Sequence, residues 1–126
     1  MDGGFDRALR SRFPGVEVIV QREIDRRGGL LPIGQAVVVE TEDPDVPFLV
    51  CAPTMIYPSD IRSTRNVFFA MLAALNAVHQ FNIENEDIIG SVAIPGLGTG
   101  IGRVSPMTAA SQMHEAFQEF IAFVEG

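Results

Sequence analysis

The sequence predicts an α/β layer fold built as one domain. Two β-branched runs bounded by turn residues, GQAVVVET (34–41) and FLVCAP (48–53), read as neighbouring strands. A helix-patterned segment (65–81) and a third apolar run, IIGSVAIP (88–95), follow them. Strands that alternate with helices imply helices packed on a sheet, with 65–81 crossing between the second and third strands. At 126 residues, 47% hydrophobic and 20% charged, the chain is long enough to bury one core.

Each element has its own warrant. Residues 3–12 read as a short helix starting at the paired glycines, with Phe5, Leu9 and Phe13 on one side and Pro14-Gly15 ending it. Residues 16–27 are ambiguous. Val16, Val18 and Val20 alternate like a strand, while Val16, Val20 and Ile24 follow helical spacing. The charged second half favours a helix, closed by Gly28-Gly29. The segment EDPDVP supplies the turn between the first two strands through Asp43-Pro44. Phe68, Leu72, Leu75 and Val78 form the apolar stripe of the long helix. A final helix runs from Pro106 to about Val124, with Ser105 as its cap and Pro106 at its first position. Three strands make a small sheet for such long helices, and they leave an edge unpaired.

Composition excludes several classes of function. A net charge of −7 argues against a general nucleic-acid binder, which carries a basic face. No apolar stretch approaches the ~20 residues of a membrane span, and Asp2 and Asp6 do not fit a secretory signal. The single cysteine, Cys51, rules out an internal disulfide framework and suits a reducing cytoplasm. His79 and His114 stand apart from any metal-ligand spacing, so neither a metal nor a cofactor is expected.

The most informative segment is IPGLGTGIGRVSP. Gly96, Gly98, Gly100 and Gly102 alternate between the third apolar run and a helix start. In α/β proteins, the carboxyl end of a strand is where ligands bind. Glycines let successive N–H groups face one concavity, which suits an anion. The two familiar phosphate fingerprints fail here. A G-x-G-x-x-G match meets Ile101, Arg103 or Ser105 where it needs glycine, and the segment has no lysine for a P-loop.

SVAIPGLGTGIGRVSPMTAA resembles the diphosphate-binding loop and following helix of macro domains, which bind ADP-ribose. DGGFDRAL looks like that family's other signature, a glycine run followed by an apolar residue, Asp and a helix. PIGQAVVV and FLVCAPTM are similar to two of its strands, and the four matches are collinear. The resemblance implies a three-layer α/β/α fold with a mixed sheet, lacking its N-terminal strands. It implies an ADP-ribose-like small-molecule ligand held by Gly3, Gly4 and Phe5 on one side. Pro95, Gly96, Gly98, Thr99, Gly100, Ile101 and Gly102 would hold it on the other. Asp6 falls where some family hydrolases orient water near the distal ribose. The same carboxylate also suits a helix N-terminus on dipole grounds alone.

The departures from the family are equally concrete. Macro domains normally begin upstream, with two further strands that carry an acidic residue for the adenine amine and an asparagine for the distal ribose. Neither segment is found in these 126 residues, so Met1 is expected to be an internal methionine of a longer protein. An alternative is a non-catalytic interaction module whose exposed sheet edge is covered by another copy. Among single residues, Arg103 can pair with a phosphate or serve as a surface charge. Cys51 reads as a small buried hydrophobe. His79 and His114 read as helix-surface or satisfied core residues. Tyr57 can stack on a base, but it reads better as part of a loop packed on the core.

Overall fold

The computed structural model describes residues 4–126, with side chains from Arg7 onward. Six elements follow in order: α1 (Gly4–Arg12), α2 (Val16–Arg26), β1 (Val37–Glu40), β2 (Phe48–Cys51), α3 (Asn66–Glu84) and α4 (Pro106–Glu125). The segment 16–27, ambiguous in the sequence, is therefore helical. Pro14 and Gly15 separate it from α1, with Gly15 in the left-handed region at φ 84°. At its other end the amide of Gly28 donates to the carbonyl of Asp25, and that of Gly29 to Ile24. This is a Schellman closure, and its left-handed residue is Gly28 at φ 100°, where a β-carbon would be strained.

β1 and β2 form an antiparallel hairpin in the register Val37↔Cys51, Val38↔Val50, Val39↔Leu49, Glu40↔Phe48. One face carries Val37, Val39, Leu49 and Cys51, which pack with Leu31 against Ile19, Val20 and Ile24 of α2. Alternation puts Phe48 on the opposite face, where its ring meets Phe81 of α3 at 5.1 Å. Cys51 is half-buried rather than fully buried. A second core cluster joins Ile61, Val67, Val104 and Ala109, with Met55, Leu97 and Met113 against it. Ala70, Ala109 and Ala116 are all but fully buried, and their small side chains suit a close contact between α3 and α4.

Two expectations are corrected. The sheet of the described residues is this two-stranded hairpin alone, neither mixed nor crossed over. Residues 88–95 form no strand, and Ile88 and Val92 are exposed. A strand needs a neighbour to complete its hydrogen bonds, and Ile89 finds a side chain instead. Asn82 accepts from the Ile89 amide and donates to its carbonyl, both at 2.9 Å. The second correction concerns α3. Its deepest residues are Val67, Ala70, Met71 and Ala73, whereas Phe68, Leu72, Leu75 and Val78 are half-buried. The helix packs against both the hairpin and α4, so no single stripe is its core face.

Candidate functional site

The glycine-rich loop lies at the N-terminal end of α3, beside the segment that follows β2. Its underside is tightly packed. Gly98 has φ 71°, and a β-carbon there would sit 2.9 Å from Val67 Cγ2. A β-carbon on Gly102 would lie 2.7 Å from the Gly98 carbonyl oxygen and 2.8 Å from Ile61 Cγ1. Three backbone bonds fix the loop: Ile61 N–H to Gly102 O, Val104 N–H to Gly98 O and Arg103 N–H to Gly100 O, each 3.0 Å. Thr99 Oγ1 donates to the Gly96 carbonyl at 3.1 Å. Ile61 is thus the anchor of the loop.

The outer side is open. Gly96, Thr99, Gly100, Ile101 and Arg103 are exposed, while Pro95, Leu97 and Gly98 are partly covered. Among the described residues, the amides of the exposed Gly100 and Ile101 donate to no protein acceptor, and neither does that of Gly102, which is buried. α4 begins next. Ser105 Oγ accepts from the Thr108 amide at 3.1 Å and donates to Thr108 Oγ1, and Pro106 occupies the first turn. The positive end of a 20-residue helix therefore lies beside unengaged backbone donors.

The first glycine signature is described less fully. Gly4 begins α1, whereas Gly3 and the side chains of Phe5 and Asp6 lie outside what is described. At its far end α1 is tied to the tip of the hairpin, where Arg12 bonds to Asp43 and lies 3.9 Å from Asp45. The Arg12 guanidinium holds the Asp43 carboxyl below the usual carboxylate range, helped by the amides of Val46 and Asp45. Asp60 is held low by the amide and guanidinium of Arg62, with Arg103 adding a weaker attraction.

One further residue, Tyr57, sits where sequence reasoning does not put it. Tyr57 is 72% exposed, so it does not pack on the core. It precedes Ile61 in the segment that carries the loop's anchor. His114 is exposed on α4, and the ring of His79 packs edge-on against Phe120 at 5.7 Å. Among the described residues, no group of three His, Cys, Asp or Glu side chains could hold a metal. Among the described residues, no helix is long and apolar enough to cross a membrane.

Sequence reasoning misses Gln112 altogether. From α4, its Oε1 accepts from the Phe68 amide in the first turn of α3 at 3.1 Å, and its Nε2 donates to Thr64 O at 3.2 Å. A cap supplied from another helix leaves no local trace in the sequence. The absence of a capping side chain at Arg65 is the available hint.

The macro domain family model matches residues 1–113. An uncharacterized protein of Aquifex aeolicus (strain VF5) is 33% identical over 113 residues, which is 84% of this chain and 65% of that protein. One from Aeropyrum pernix (strain K1) is 32% identical over 112 residues, 89% of this chain and 54% of its own length. The chain thus spans between about half and two thirds of these relatives. No solved structure matches it significantly. With a family match over nearly the whole chain and a packed glycine loop at a helix start, the chain belongs to the macro domain family.

Proposed function

We propose that the chain binds ADP-ribose or a related nucleotide diphosphate through the loop 95–102. The carrying observation is the loop's two-sidedness. Its underside is locked on Ile61 and Val67, while the exposed Gly100 and Ile101 have amides with no protein acceptor among the described residues, beside the capped start of α4. Preformed donors of this kind hold a diphosphate with little rearrangement, even in a protein of net charge −7. Macro domains as a family bind ADP-ribose, which makes this ligand the first to test.

In this reading Gly3, Gly4 and Phe5 form the facing wall of the cleft, in a three-layer α/β/α arrangement that further strands would complete. Tyr57 offers an exposed ring for stacking on a base. If the bound ligand is turned over, the reaction is hydrolysis of an ADP-ribosyl ester or glycosidic bond, with Asp6 orienting the water. Calorimetry with ADP-ribose tests the binding step, and no heat at millimolar ligand would refute it. An Asp6→Ala variant with unchanged turnover would remove Asp6 from the chemistry.

A second reading rests on the exposed segment 88–95. Its uncovered Ile88 and Val92 suit a non-catalytic module whose exposed apolar segment is covered within an oligomer. Absence of ADP-ribose binding together with a stable assembly would favour it.

A further inference from the structure

Gln112 does more than cap α3, because the carbonyl it holds lies on a path to the glycine-rich loop. Its Nε2 donates to Thr64 O at 3.2 Å. Thr64 in turn holds Ile61: its Oγ1 donates to Ile61 O at 2.8 Å, and its amide donates to the same oxygen at 3.1 Å. The Ile61 amide then donates to Gly102 O in the loop at 3.0 Å. From Gly102 the chain runs through Val104 and the Ser105 cap into α4, where Gln112 follows about two turns later. Side chain, turn, loop and helix therefore close a ring.

Its members pack together as well as bonding. Ile61, Val104 and Ala109 lie on the ring and meet Val67 in the second core cluster. Ile61 belongs to no helix or strand, so its position depends on these bonds and on that packing. The turn is also tied to the segment after β2, because Asn66 donates from its amide to Thr64 Oγ1 at 3.2 Å and from Nδ2 to Thr54 O at 2.9 Å. Gln112 and Thr64 are both half-buried, which limits water as a replacement partner.

We propose that Gln112 is a positioning residue for the ligand loop, acting through Thr64 and Ile61 to hold the amides of Gly100 and Ile101 ready for a diphosphate. This rests on the reading of residues 95–102 as the ligand loop. The side chain of Gln112 is spent on Thr64 and Phe68, so its effect on ligand is indirect. Donors fixed beforehand bind with less ordering cost, and a loop cut off from its bracket must be ordered by the ligand itself.

The two ends of Gln112 allow capping and positioning to be told apart. Oε1 caps the Phe68 amide, whereas Nε2 holds Thr64. Gln112→Glu keeps an acceptor for Phe68 but sets a second oxygen against the Thr64 carbonyl, since a carboxylate cannot donate. A residue that only capped α3 would tolerate this change at the loop. A positioning residue would not.

Amide hydrogen exchange followed by NMR, together with calorimetry using ADP-ribose, tests the proposal. In Gln112→Glu the amides of Ile61 and Val104 should exchange about tenfold faster relative to those of β1 and β2, and ADP-ribose should bind about tenfold more weakly. That factor is the ordinary worth of one hydrogen bond. Thr64→Val removes the next link and should do the same, which covers the case of a Gln112 variant that misfolds. Val39→Ala, in the hairpin's core cluster, should lower stability while leaving that exchange ratio and the affinity of the folded protein unchanged. An unchanged ratio in both Gln112→Glu and Thr64→Val would overturn the proposal. So would parental affinity in Gln112→Glu, or an equal loss of affinity in Val39→Ala. A parent protein that bound no ADP-ribose would overturn the proposed function instead, and the exchange ratio would still decide whether Gln112 positions the loop.

Discussion

Two glycines of one loop answer to different forces, and substitution separates them. At Gly102 a β-carbon would meet the backbone oxygen of Gly98 at 2.7 Å, and backbone cannot swing aside as a side-chain tip does. Gly102→Ala should therefore cost about 1–3 kcal/mol, read as a lower urea midpoint at unchanged slope. At Gly100 the space a β-carbon would take has no neighbour within 4 Å, and the backbone φ is not left-handed. Gly100→Ala should stay within about 0.5 kcal/mol of the parent. If its amide and its neighbours' hold a diphosphate, the same methyl should weaken ADP-ribose at least several-fold in a calorimetric titration. Loss of affinity without loss of stability marks a contact with ligand, and no change in either would remove Gly100 from the site.

Among the elements, the start of α3 shows tertiary contacts added to a local one, in which Thr64 Oγ1 accepts from the Asn66 amide at 3.2 Å. Arg65 caps nothing through its side chain, but its guanidinium stacks over Phe68 at 4.5 Å and bridges to Glu115 on α4. Gln112 satisfies the Phe68 amide from the same helix. Gln112→Ala leaves that donor and the Thr64 carbonyl without their partner, a loss of about 1–2 kcal/mol measurable by denaturant titration. Gln112→Glu keeps the acceptor for Phe68 and should recover part of it. The helix boundaries are legible because Ser105-Pro106 and Gly28-Gly29 are local devices. The third strand is misread because strand formation depends on a neighbour, and the Val/Ile content of 88–95 says nothing of one. At the hairpin tip, Asp43 titrates below its ordinary value of about 3.9 because Arg12 donates to it. Its contribution is complete above that ordinary value and is lost as pH falls through the depressed one. An NMR titration should find the low midpoint, and Arg12→Ala should raise it while loosening α1 from the hairpin.

For the molecule as a whole, the glycine loop is legible as a ligand loop because alternate glycines before a capped helix are a local pattern. Its support is not legible, because Ile61 and Val67 precede it by some thirty to forty positions and reach it only through the fold. That support couples ligand to global stability. The loop bonds to Ile61 on one side, and its underside touches the start of α3, which is packed on both the hairpin and α4. A ligand that binds only the formed loop must therefore stabilise the folded state by mass action, by about 2.7 kcal/mol at a hundred times its dissociation constant. With an unfolding entropy of about 2.1 cal/mol/K per residue, that corresponds to a rise in Tm on the order of 10 °C for a chain of this length. Differential scanning fluorimetry with ADP-ribose should show this shift in the parent protein. Gly100→Ala should start from nearly the same Tm and show a smaller shift at equal ligand. An equal shift in both proteins would place the ligand away from the loop, and no shift in the parent would exclude ADP-ribose as its ligand.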